Sequence, residues 1–250
     1  MKLKFIYKNY DKILKKIKLK KKVILFSEYQ NRKKNKNFLI LRHDIEYFLD
    51  AALDLANIEK KNNLRSTFFF QTTSKYNIFE ESQYYITKKI KQLGHEFGIH
   101  YDADFLNKNK INSKEAIILM KKKIETFFKI RIKAISCHRP KKFYFDPKIK
   151  GVMNAYNKNF LENVEYISDS QQVFRNDLDE VLENFDKIHF LVHDYTWSKN
   201  GDSWQKNILK NYRKEMAKNI IYYKNTIKDW ELGLKKRKNL DKKLMNKFKN

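Results

Sequence analysis

Phe38-Leu39-Ile40-Leu41-Arg42-His43-Asp44-Ile45-Glu46 joins four apolar residues directly to a run of ionisable ones. A continuous apolar run reads as a strand covered on both faces, the kind found in parallel sheets flanked by helices. The ionisable residues then fall where the strand should end, and in parallel α/β proteins sites are built at the carboxyl ends of strands. Enclosing Arg42, His43, Asp44 and Glu46 would cost on the order of several kcal/mol unless they pair or hold a metal. A salt-bridged strand end meets that condition, and so does a reactive centre.

Working outward, three more apolar runs stop at a histidine. Residues 95–100 (HEFGIH) lead into Tyr101, Asp102 and Asp104; 134–137 (AISC) lead into His138, Arg139 and Pro140; 188–192 (IHFLV) lead into His193 and Asp194. A fifth run, 164–168, ends at Asp169, and 66–71 (STFFFQ) is β-branched and aromatic, as strands prefer. Helical patterns fill the gaps: one opening near Asp50 as cap, one over 80–93 with Gly94 as the residue after its end, one over 113–128, and a short one near 177–184. Strand and helix alternating at this spacing predict an α/β fold with a mostly parallel sheet. If the sheet is parallel, all the charged strand ends share one rim.

The flanks read differently. Residues 1–22 carry apolar positions at helical spacing among lysines, 23–26 form a short strand, 27–36 a polar loop, 141–163 an irregular stretch broken by Pro147 and Gly151, and 203–250 a basic helical tail. The expected organisation is a basic N-terminal helix and strand (1–37) packed on a barrel domain (38–200), followed by the tail (201–250).

The net charge of +26 invites a nucleic-acid reading. The lysines are spread along the whole chain, however, and arginines, which read bases and phosphates bidentately, are few. No specific nucleic-acid partner is expected. A basic amphipathic helix at either end instead offers peripheral contact with an anionic membrane. One cysteine, Cys137, excludes a disulfide framework and reads as core. With no apolar leader segment and no run long enough to span a bilayer, the expectation is a cytoplasmic protein, peripheral to the inner membrane where the basic helices meet it.

Imidazoles and carboxylates on one rim suit a divalent metal with an open position for water, flanked by a carboxylate base and a histidine acid. No glycine-rich phosphate loop points to nucleotide chemistry. LRHDIE (41–46), LGHEFGIHYD (93–102), ISCHRP (135–140), YISDS (166–170) and LVHD (191–194), in this order, resemble the five motifs of the polysaccharide deacetylase family, the NodB-homology proteins of carbohydrate esterase family four. The resemblance covers roughly residues 38–197 and looks closest to the intracellular branch associated with surface-polysaccharide synthesis.

That resemblance implies an incomplete, irregular (β/α)7-type barrel. It makes Asp44 the catalytic base, His193 the general acid, Asp169 the residue that orients His193, and Arg139 the holder of the base carboxylate. The metal, zinc or another transition ion, would be bound by Glu46 and His100; a strict count puts the first of these on Ile45 instead. The family's second metal histidine is replaced here by Asp104. His43, Asp102, His138 and Trp197 are the expected substrate contacts. The implied activity is removal of an N-acetyl group from a sugar of a surface-glycan precursor. The alternatives are a non-catalytic glycan-binding or assembly protein on the same fold, and a basic membrane-surface or RNA-binding protein.

Overall fold

In the computed structural model, residues 3–32, 36–140 and 146–247 are described, the side chains of 30–32 and 243–247 excepted. The elements are α1 (Tyr7–Lys20), β1 (Lys22–Ile24), α2 (Phe26–Arg32), β2 (Phe38–Ile45), α3 (Leu49–Lys61), β3 (Thr67–Gln71), α4 (Glu81–Gln92), β4 (Glu96–Tyr101), α5 (Ala103–Lys108), α6 (Ser113–Phe128), β5 (Ala134–Cys137), β6 (Met153–Asn154), α7 (Lys158–Leu161), β7 (Glu165–Ser168), α8 (Leu178–Asn184), β8 (Lys187–His193) and α9 (Trp204–Lys247). The chain divides into two compact units, Met1–Asn207 and Ile208–Asn250, the second being the body of α9.

Every strand pair is parallel, and the sheet runs β6-β5-β4-β3-β2-β8-β7. β1 adds to β2 beside Phe38, Leu39 and Ile40, below the stretch where β3 takes over at Arg42. Among the described residues β6 and β7 do not pair, so the wall is open, and the fold is the incomplete α/β barrel expected. One strand and one helix exceed the sequence reading. β6 lies inside the segment expected to be irregular, and β1 is followed directly by helix α2 where a polar loop was expected.

Alternation along β2 sorts its residues between two environments. Leu39 and Leu41 face outward onto Tyr10, Leu14 and Ile17 of α1 and Leu55 of α3. Phe38 and Ile40 face inward onto Phe26, Phe69, Ala134 and Phe160, which plug the lower end of the barrel. Beyond β3 and β4, a second outer layer packs Phe68, Phe70 and Phe97 against Ala52, Ile90, Ile117, Ile124 and Phe128. Gly94 follows α4 with φ +95°, the left-handed helix end read from the sequence.

Gly98 on β4 is needed for another reason. A Cβ there would stand 2.4 Å from Cδ1 of Phe69, whose buried ring lies edge-on to Phe26 in the plug. Gly98→Ala is therefore expected to cost about 1–3 kcal/mol in urea unfolding through overpacking. Combination with Phe69→Leu, which withdraws the ring, should cost less than the sum of the single changes.

Candidate metal and hydrolytic site

The ionisable residues of β2 lie inside the strand, not past its end, and the pleat decides what each one meets. Arg42 and Asp44 face the barrel interior and are 0% and 2% exposed. Arg42 grips Asp44 with both arms of its fork, Nε to Oδ1 at 3.0 Å and Nη2 to Oδ2 at 2.6 Å. The remaining donors reach Tyr156 Oη (2.8 Å) and His189 Nε2 (3.3 Å). Burial alone would raise the Asp44 carboxyl, but Arg42, with His100, holds it down at about 2.

This overturns one expected role. Arg139 sits at the exposed end of β5 with φ +47°, its guanidinium beside Tyr47, and the holder of Asp44 is Arg42.

Above this pair three donors converge. His138 Nδ1 is 3.2 Å from both His100 Nε2 and Glu46 Oε1, and His100 Nε2 is 3.9 Å from Glu46 Oε1. Two donors each bonded to one tetrahedral zinc ion stand about 3.3 Å apart, so the spacing and the His-His-Glu set fit a divalent cation. His100 Nδ1 meets Ser136 Oγ at 3.1 Å, and that hydroxyl lies 3.3 Å from each oxygen of Asp44. Ser136 thereby ties the ring of one candidate ligand to the buried carboxylate, the kind of outer partner that fixes a ligand's orientation. His100 and His138 hold the Glu46 carboxyl far below the usual range although burial opposes them.

Of the expected ligands, Glu46 and His100 meet, and Asp104 does not. Asp104 lies exposed in the first turn of α5, and the third donor is His138, expected as a substrate contact. Asp102 departs from its expected role as well: its carboxylate caps α5 by accepting from the Phe105 N–H at 3.0 Å.

Across the cup stands His193, paired in register with Asp44 on the neighbouring strand. Its Nδ1 is 2.7 Å from Asp169 Oδ1, the geometry expected from the sequence. Burial would lower the imidazole, but the hydrogen bond and charge of Asp169, with Glu46 and Asp44, raise it to about 9. Asp169 is fully buried and accepts further bonds from the His193 N–H, the Thr196 hydroxyl and Trp197 Nε1 (2.8 Å). Trp197, expected to stack on a sugar, is instead a core residue, 2% exposed between Phe5 and Tyr10, that braces Asp169.

Asp194 has a structural task. It accepts from the backbone N–H groups of Glu46, Tyr47 and Phe48 at 3.0, 3.0 and 2.6 Å, fixing the loop that carries Glu46 and opening α3 where Asp50 was expected as cap. Burial, helped by Glu46, pushes its carboxyl up to about 7 against the pull of these amides.

His43 points the other way. Its Nε2 is 2.5 Å from Glu59 Oε1, its ring stacks on Phe68, and it is fully buried in the outer layer, away from the cup. Glu59 also takes bonds from Tyr10 (2.6 Å) and Ser66, with His95 Nδ1 3.6 Å away. His95 therefore faces away from the cup, as its odd spacing from His100 requires. Cys137 is buried, and burial pushes its thiol up to about 11, which suits a core residue.

No protein-family model matches this sequence. No curated protein matches it either. Solved structures with a similar fold include a mutant, with restored enzymatic activity, of the Bacillus anthracis family-four esterase pseudoenzyme BA3943 (14% identity, TM-score 0.39), of which the chain spans 64% of the length while 74% of this chain is covered. Others are the chitin deacetylase of Colletotrichum lindemuthianum (17%, TM-score 0.43, covering 70% of this chain and 81% of that one) and the peptidoglycan deacetylase PdaC of Bacillus subtilis (18%, TM-score 0.42, 70% and 83%). At these values the likeness carries nothing about chemistry.

Two outcomes follow from the buried charges. Arg42→Met should destabilise the fold by about 3–5 kcal/mol in urea unfolding, because it leaves Asp44 buried without its partner. The pH dependence has a definite sign. His193 is raised from 6.5 to about 9, so the stability of its protonated form is complete below 6.5 and lost as pH rises through 9. Asp194, raised from 3.8 to about 7, loses its contribution earlier, between those values. Urea midpoints measured across pH should fall in both windows, and His193→Gln should flatten the upper one alone.

Proposed function

We propose that the chain is a metal-dependent hydrolase that removes an N-acetyl group from a sugar of a surface-glycan precursor in the cytoplasm. The observation that carries this reading is the meeting of Glu46, His100 and His138 beside Asp44 and opposite the His193–Asp169 pair. The sequence motifs at 41–46, 93–102, 135–140, 166–170 and 191–194 supply the sugar amide as substrate class. The three donors would hold a divalent cation, zinc by their chemistry, and when bound it polarises a carbonyl and lowers the pKa of water.

The chain's own groups then divide the proton work. Asp44, ionised and held by Arg42 and Ser136, takes the proton from the attacking water. His193 has Nδ1 committed to Asp169, so Nε2 is the atom that gives a proton to the departing amine. Glu46 and Asp44 beside it favour the protonated imidazole needed for that step.

A second reading, glycan binding without turnover, is favoured by one observation: Arg42 engages both oxygens of Asp44, which weakens it as a base. Metal content and acetate release together separate the two. Purified protein should carry one metal per chain; Glu46→Gln and His138→Ala should lose it, and Asp104→Asn should retain it. Acetate release from N-acetylhexosamine oligomers should fall by about 10²–10⁴ in Asp44→Asn with the metal retained. The rate should also decline above about pH 9, as His193 loses its proton. Stoichiometric metal and glycan binding with no acetate released would establish the second reading.

A further inference from the structure

Helix α9 carries a surface that the barrel chemistry leaves unused. Tyr212, Met216, Ile220, Tyr223, Ile227 and Trp230 recur at spacings of 4, 4, 3, 4 and 3, which at helical pitch confines them to an arc of about 80°. They are exposed, from 47% at Met216 to 71% at Trp230. The stripe has no functional use in water, and large exposed apolar faces mark partner or membrane contacts.

The charge on the same helix selects the occupant. Trp204–Lys247 holds fourteen Lys and Arg against four Asp and Glu, and Lys224, Lys228 and Lys235 line one flank of the stripe. Pairing with a second copy would set lysine flanks against each other with too few acids to answer them. From Met216 onward the spacing alternates 4 and 3, as a coiled-coil seam also would, so it is the lysine flank and not the period that speaks against a second copy. Tyr and Trp are the residues that settle at bilayer headgroup level, and lysines beside an apolar face can bury their stems while their ammonium groups reach anionic phosphates. No helix among the described residues is long and apolar enough to cross a membrane.

We infer that α9 lies on an anionic lipid bilayer, its Tyr–Ile–Trp stripe in the headgroup boundary and its lysine flank on the lipid phosphates. Co-sedimentation of the full chain with vesicles tests this. The chain should bind vesicles of phosphatidylglycerol and phosphatidylcholine (3:7) and leave pure phosphatidylcholine largely unbound. Lys224→Ala with Lys228→Ala should weaken binding roughly 30-fold, since each lysine near an anionic surface is worth about fivefold. Ile220→Glu with Ile227→Glu should abolish it, with helix content checked by circular dichroism, and Asp44→Asn should bind as wild type. The inference is overturned if the chain binds neither vesicle. It is equally overturned if the glutamate variant binds as wild type, or if that variant turns a dimeric chain monomeric while neither protein meets lipid.

Discussion

The interior of this barrel depends on a charge pair made by two residues of one strand. Arg42 and Asp44 stand on the same side of β2, and the guanidinium closes on the carboxylate in fork geometry with water excluded. Burying either group alone would be prohibitive, and together they are bearable only because their remaining valences are also met. Tyr156 and His189 take the other guanidinium donors, and Ser136 lies against the carboxylate. The pair is therefore the floor on which the candidate metal donors stand, since Ser136 passes its hold on to His100.

Around that floor the polar groups form two separate systems divided by β2. Inside are Asp44, Glu46, His100, His138 and, through Asp169, His193. Outside, Glu59 collects Tyr10, His43, Ser66 and His95 in a cluster that joins α1, α3 and β2 to the residues just before β3 and β4. Both contain histidine beside carboxylate, but only the inner one has the donor convergence a cation requires. His43 and Asp44, adjacent in sequence, belong to different systems for no reason other than the pleat.

Much of this was legible in the sequence. Apolar runs ending in His or Asp gave the parallel strands and their common rim, and the five motifs named Asp44, Glu46, His100, Asp169 and His193, which the fold does bring to one end of the barrel. What failed did so for physical reasons. Residues two apart on a strand share a face, so Arg42 beside Asp44 and Ser136 beside His138 were there to be read; Arg139 and His43, one step out of phase, were not inward candidates. Asp102 and Asp104 fall past the end of β4, where the chain turns into α5, so one became a cap and the other an exposed first-turn residue. Trp197 is different, because nothing in its local sequence tells a bracing indole from a stacking one.

The pairing of β2 carries a consequence for how the molecule is made. Its partner on one side is β1 and then β3, both near in sequence, but on the other it is β8, with Phe38 beside Lys187 and Asp44 beside His193. Emerging vectorially from a ribosome, the early half can form its helices and the β1–β2–β3 ladder while one edge of β2, and the Arg42–Asp44 pair near it, still await their cover. Nascent chains would thus expose an unsatisfied strand edge until β8 has been made, an interval in which holding chaperones have most to protect.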